Sequence, residues 1–305
     1  MKLYRSILFV PGNRPDWIDK APQYAPDALI LDLEDAVPVA EKAEARAIVR
    51  AGIERSRARG MPILVRVNGL HTGLTGEDVE AVVTAGLVAI AIPKLERREE
   101  VLKVDAWIEL FEHKAGLPPG TIEIVVLPET ALGIMNIYQL ATACPRVGNI
   151  VGGVSARSGD VTKAIGYKWT RGGLETLYMA SHMLLAARAA GIEYPLAGGS
   201  LEVSDTELIR TQLQRAREIG FRGALLIHPS AVPIANDVFA PSQEEIEWNK
   251  GVLRAMAEAE QAGRAAVLYD GMMIDYAHVR NALDLLRQAE AFGMEVGEYP
   301  RVRAL

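Results

Sequence analysis

Asp27-Ala-Leu-Ile-Leu-Asp-Leu-Glu-Asp35 is a short apolar run that ends in three carboxylates, Asp32, Glu34 and Asp35. A run of this length with polar flanks suits a strand buried on both faces. Packing gives no reason for carboxylates at the exit of such a strand. The chain repeats the design: an apolar strand, a charged residue at its tip, then an amphipathic helix. Strands are predicted over Leu3–Val10, Ala28–Leu33, Ile63–Val67, Leu87–Ile92, Ile122–Leu127, Val147–Val151, Tyr194–Ala197 and Gly223–Ile227. Helices are predicted between them, from Pro15–Tyr24 through Val39–Arg59 and Arg97–Ala115 to Asp205–Ile219 and Ser230–Val238. Eight βα units make an α/β chain with the count of a (β/α)8 TIM barrel, over residues 1–240.

The strand exits test this reading. Asp32, Arg66, Lys94, Glu129, Asp160, Gly198 and His228 follow one another at intervals of about 30 residues, the length of a βαβ unit. That spacing puts them on one rim, at the C-terminal ends of successive strands, where barrels of this kind place their sites. Residues 241–305 form a C-terminal extension. It starts with a helix over Ser242–Ala262, whose Ser242 and Glu245 make a capping box. A short strand over Ala265–Leu268, the pair Asp270-Gly271 and a last helix over Tyr276–Phe292 complete it. Such an extension suits a subunit interface.

Composition narrows the function. A net charge of −6 argues against nucleic acid or an anionic membrane as partner. One cysteine, Cys144, excludes an intrachain disulfide and a thiolate zinc site. The start of the chain is too short and too polar for a signal peptide, with Arg5 interrupting it and Pro11-Gly12 ending it, so a cytoplasmic protein is expected. There is no GxSxG elbow, P-loop, HExxH or GxGxxG.

Glu129 and Asp160 are the leading pair for chemistry. One carboxylate at each of two adjacent strand exits suits Mg2+, which keeps waters and takes substrate oxygens. The competing structural roles are a carboxylate at a helix N-terminus for Glu129 and an N-cap for Asp160. Arg66, with Asn68, suits an acid group or a developing oxyanion; its competing role is an ion pair with Asp32, Glu34 or Asp35. Arg5 adds positive charge at the same rim, and Arg14 is a surface residue. Lys94 suits an electrostatic role better than a Schiff base, because nearby carboxylates oppose the depressed pKa that a Schiff base needs. Gly152-Gly153 and Gly159 make a loop where backbone can approach a ligand.

The motifs Arg5-Ser-Ile-Leu-Phe-Val-Pro-Gly12, Asp32-Leu-Glu-Asp-Ala-Val37, Arg66-Val-Asn68, Pro93-Lys94, Glu129-Thr130, Ala186-Ala-Arg-Ala-Ala-Gly191, Ile227-His-Pro229 and Val238-Phe-Ala-Pro241 stand in the order of the citrate lyase beta-subunit-like proteins. The chain resembles that group, within the HpcH/HpaI aldolase superfamily, over nearly its whole length. The resemblance implies a TIM barrel, Mg2+, and cleavage of a 3-hydroxyacyl-CoA thioester of malyl, citramalyl or citryl type into an acyl-CoA and a 2-oxo acid. It implies Glu129 and Asp160 as metal ligands. Arg66, Arg5, Asn68, Lys94 and Glu129 are the expected substrate contacts. Asp275, in Asp270-Gly-Met-Met-Ile-Asp275, matches a residue that reaches a neighbouring subunit's site, which implies a homotrimer or hexamer. Arg66, Asp275 and Asp35 are the expected catalytic group, with Asp32, Glu34 and Asp35 tuning Arg66 and the metal waters. Two departures stand out. Gly152-Gly-Val-Ser-Ala-Arg-Ser-Gly-Asp160 replaces the family's usual Gly-Ala-Glu-Asp, and Ala224-Leu-Leu226 replaces a lysine before Ile-His-Pro. An aldolase of free 2-oxo acids and a non-catalytic barrel subunit are the alternatives.

Overall fold

The computed structural model describes residues 1–152 and 159–302. Eight parallel strands close into a barrel in chain order: β1 Ser6–Pro11, β2 Ala28–Asp32, β3 Ile63–Arg66, β4 Leu87–Pro93, β5 Glu123–Leu127, β6 Val147–Gly152, β7 Leu196–Gly198 and β8 Gly223–Leu226. The helices around it are α1 Pro15–Lys20, α2 Lys42–Ala58, α3 Thr75–Val82, α4 Arg98–Lys114, α5 Ala131–Met135, α6 Ile137–Ala141, α7 Gly159–Ile165, α8 Leu174–Ala189, α9 Thr206–Ile219 and α10 Ala231–Phe239. This is the (β/α)8 barrel expected from the strand count. Among the described residues, no helix is long and apolar enough to cross a membrane.

Alternation along each strand sorts side chains between two cores. Ile7, Ile30, Leu64, Ala89, Ala91, Val125, Leu127 and Leu225 fill the barrel interior. Their neighbours Leu8, Leu29, Leu31, Ile63, Val65, Ile90, Ile124 and Val126 pack outward under the helices. The same period of two puts Asp32, two residues after Ile30, and Arg66, two after Leu64, on the inner face at the C-terminal end. Glu129, two after Leu127, follows the same parity. Gly12 is required at the exit of β1: its amide donates to the Asp32 carbonyl at 2.8 Å, and a Cβ there would lie 2.5 Å from that oxygen.

The chain divides into two compact units, Met1–Phe239 and Ala240–Leu305. The second has its own apolar core, with Ile246, Leu253, Met256, Ile274, Val279 and Leu286 buried. It consists of α11 Gln243–Gln261, an antiparallel hairpin of β9 Ala266–Tyr269 and β10 Met272–Asp275, and α12 Tyr276–Ala291. The expected capping box of Ser242 and Glu245 is present. β10 was not expected. Its signal is Asp270-Gly271, both left-handed at φ 47 and 74, the turn that joins a two-residue hairpin.

Candidate active site

A cavity of about 670 Å3 opens at the C-terminal end of the barrel. Asp32, Asp35, Arg66, Glu129, Asp160, Gly198 and His228 line it. Residues spread over most of the barrel's length in sequence therefore meet at one rim.

Arg66 is the centre of the polar end. Its Nε and Nη2 donate to the two oxygens of Asp32 at 2.7 and 2.8 Å, and Nη1 lies 2.9 Å from Glu34 Oε2. The guanidinium also sits over the Phe9 ring, 4.8 Å from its centroid. Burial alone would push its pKa down, but Asp32, Glu34 and Glu129 outweigh that and hold it above the ordinary value. Asp32 is fixed in turn by the amides of Glu34 and Ala36, each 3.0 Å away. Such a paired, bidentate arginine has a single orientation.

Glu129 stands just beyond β5. The capping role at α5 falls to the next residue, Thr130, whose hydroxyl accepts from the Gly133 amide at 3.0 Å. That leaves the Glu129 carboxylate for the cavity, with Oε2 buried and without a hydrogen-bond partner. Burial, with repulsion from Glu34 and Asp160, outweighs Arg66 and Lys94 and pushes its pKa up to about 7. Asp160 lies in the first turn of α7, on the same cavity wall. Carboxylates outnumber cations at this rim. A buried acceptor with no partner and an excess of negative charge fit a divalent cation. Among the described residues, no group of three or more His, Cys, Asp or Glu side chains is arranged to hold a metal. A carboxylate pair that leaves its other positions to oxygens is Mg2+ chemistry rather than zinc chemistry.

Lys94 follows β4 in a left-handed conformation, φ 58. Its ammonium lies 2.9 Å from Glu34 Oε1, 3.2 Å from Asp160 Oδ2 and 3.9 Å from Asp35 Oδ2. Burial would lower its pKa, but Glu34, Asp160 and Asp35 raise it above the ordinary value. A lysine held charged in this way is no Schiff-base nucleophile. Asp35 is largely exposed on the cavity rim.

Two expected substrate contacts lie elsewhere. Arg5 precedes β1, so it sits at the N-terminal end of the barrel, opposite the cavity. Its Nη2 and Nε bind the two oxygens of Asp27 at 2.7 and 3.0 Å, and it ties the start of β1 to the start of β2. Asn68 is buried, and its Nδ2 donates to the Leu33 carbonyl at 3.0 Å and to Asp78 Oδ2 at 2.6 Å. It fastens two rim loops together rather than facing the cavity. Arg14 is exposed and stacks on Trp17. The glycine loop expected from Gly152-Gly153 lies mostly outside the described residues, at 153–158, while Gly159 lines the cavity. Asp275 belongs to the second unit, as the N-cap of α12: its Oδ1 accepts from the Ala277 amide and lies 2.9 Å from His278 Nδ1. Those two contacts, that of His278 the larger, hold its carboxylate below the usual range.

One part of the cavity lining has no signal in the sequence. There Trp17, Lys20 and Ala21 of α1 and the turn after it, with Tyr24, form a shelf. Trp17 and Tyr24 are about half exposed. His228 also lines the cavity, with its Nδ1 2.8 Å from Ser230 Oγ.

The model of the HpcH/HpaI aldolase/citrate lyase family matches residues 5–229. Citrate lyase subunit beta of Leuconostoc mesenteroides subsp. cremoris is 32% identical over 290 residues, 95% of this chain and 94% of that protein. A (3S)-malyl-CoA thioesterase of Cereibacter sphaeroides is 35% identical over 288 residues, 94% of this chain and 95% of that protein. Among solved structures, CitE of Mycobacterium tuberculosis in complex with magnesium, acetoacetate and coenzyme A superposes with a TM-score of 0.74 at 27% identity, covering 94% of this chain and 98% of that one.

Proposed function

The chain belongs to the HpcH/HpaI aldolase/citrate lyase family, and we propose that it is a Mg2+-dependent carbon–carbon lyase that splits or forms a 3-hydroxyacyl-CoA thioester, with a 2-oxo acid as the second product or substrate. The observation that carries this is the buried Glu129 Oε2, without a hydrogen-bond partner, in one cavity with Arg66 and Asp160. Glu129 and Asp160 would hold the ion. Mg2+ bound there supplies Lewis-acid stabilisation of negative charge on the 2-oxo acid half.

The chain's own residues supply the rest. Asp32 takes two N–H donors of Arg66, and Glu34 Oε2 lies 2.9 Å from Nη1 as an ion pair, which leaves N–H donors of the guanidinium for a substrate oxygen. Because the guanidinium is already oriented, it stabilises a developing oxyanion without reorganising. Asp275, contributed by a neighbouring copy, is the proposed acid–base group, and its lowered pKa keeps it a carboxylate able to accept a proton at neutral pH. The thioester arm would lie along the Trp17–Tyr24 shelf, with Lys20 toward its phosphates. A free 2-oxo acid would fill only part of a 670 Å3 cavity, which favours a CoA thioester over a free acid. The thioesterase relative makes thioester hydrolysis the second reading.

The test is incubation with Mg2+ and a panel of hydroxyacyl-CoAs, with the 2-oxo acid and the free thiol measured separately. A lyase releases the 2-oxo acid and no thiol. Release of thiol alone would replace this reading with the hydrolase. Turnover of the free hydroxy acids would remove the CoA part.

A further inference from the structure

We propose that Lys94 is a positioning residue that competes with the divalent cation for Asp160. It holds that carboxylate in the metal-free protein and must release it when the ion binds. The inference rests on the reading that Glu129 and Asp160 take Mg2+, and it gives Lys94 a role beyond the substrate contact expected of it.

The geometry carries the argument. The Lys94 ammonium stands between Glu34 Oε1, at 2.9 Å, and Asp160 Oδ2, at 3.2 Å. An ammonium and a divalent ion cannot both stay close to one carboxylate oxygen without strong repulsion. Glu34 keeps the lysine after the exchange, so Lys94 moves off Asp160 without losing its other partner. Asp35, at 3.9 Å, is a further acceptor on the same side. The backbone points the same way. Of the three non-glycine residues with positive φ among those described, Ala25 caps a helical turn and Asp270 makes a hairpin turn. Lys94 serves neither purpose. A non-glycine residue kept in the left-handed region signals a constraint worth its strain. Its amide donates to the Leu127 carbonyl at 2.9 Å, which anchors the lysine to the strand that delivers Glu129.

The experiment titrates metal-free protein with Mg2+ alone by calorimetry, for the wild type, Lys94→Met and Lys94→Arg, with Tm recorded for each. Lys94→Met keeps the stem and removes the charge, and it is expected to bind Mg2+ about ten-fold more tightly. Lys94→Arg restores the charge and is expected to bind within about three-fold of the wild type. Equal or weaker binding by a folded Lys94→Met, where the wild type binds, overturns this proposal and leaves the metal assignment standing. Absence of Mg2+ binding in every form overturns both. If Lys94→Met does not fold, amine labelling of the wild type decides, read by peptide mass spectrometry with and without saturating Mg2+. Labelling of Lys94 is expected to rise at least about two-fold with the ion, and unchanged labelling overturns the proposal.

Discussion

Asp32 and Arg66 are direct partners in the β2–β3 register, and their side chains meet on the inner face in two parallel hydrogen bonds. The sheet itself therefore sets the direction of the guanidinium.

Arg66→Lys keeps the charge and loses the fork. It is expected to lower kcat/KM at least about 100-fold, while Mg2+ affinity stays near the wild-type value. Steady-state kinetics and metal titration check this. Near-normal turnover would mean that only charge is required.

Glu129 links pH, stability and metal. Its folded pKa is raised from 4.5 to about 7. The stability it contributes is therefore present below its unfolded pKa and is lost as pH rises through 7. In metal-free protein at pH 8, Glu129→Gln is expected to stabilise by about 2–3 kcal/mol, and by little at pH 4. Denaturation at both pH values measures this. In the wild type, Mg2+ affinity is expected to fall about ten-fold per pH unit below 7 as the proton competes. A flat profile would contradict the raised pKa.

Asp275→Asn separates two roles. Asparagine caps a helix as well as aspartate does, so Tm is expected to hold while turnover is lost. Mixing this variant with Glu129→Gln is expected to restore part of the activity if the acid–base group comes from a neighbouring copy. Retained activity in Asp275→Asn alone would remove that role.

Asn68→Ala leaves Asp78 short of a donor inside the protein. It is expected to cost about 2–3 kcal/mol of stability with KM unchanged in the folded fraction. Chemical denaturation and kinetics test the assignment. A raised KM at full stability would return Asn68 to the substrate.

Trp17→Ala removes a half-exposed ring from the cavity shelf. It is expected to raise KM for a CoA thioester about ten-fold with kcat and Tm little changed. No change in KM would move the acyl carrier elsewhere.

The barrel was legible because most buried strands read as apolar runs and most exits carry a charged or titratable residue. The period of two then fixes which residues face inward, and Asp32 and Arg66 could be placed by parity alone. Arg5 shows the limit of reading a rim by charge: it enters its strand rather than leaving it, which puts it at the other end. Asn68 is held by Asp78 on the following helix, a contact that no local pattern reveals. Trp17 and Tyr24 fall within a short predicted helix, and their place in the cavity wall depends on how that helix sits over the barrel mouth. The left-handed backbone of Lys94 has no sequence signal.

The separation of strand tips from the α1 shelf has an evolutionary consequence. Asp32 and Arg66 are locked to the sheet and to each other, so an exchange at either breaks both of their shared hydrogen bonds. The shelf hangs on a short peripheral helix, where an aromatic ring can be traded at little structural penalty. Under the proposed function, descendants of this barrel would change the handle held at the shelf faster than the chemistry set by Asp32 and Arg66.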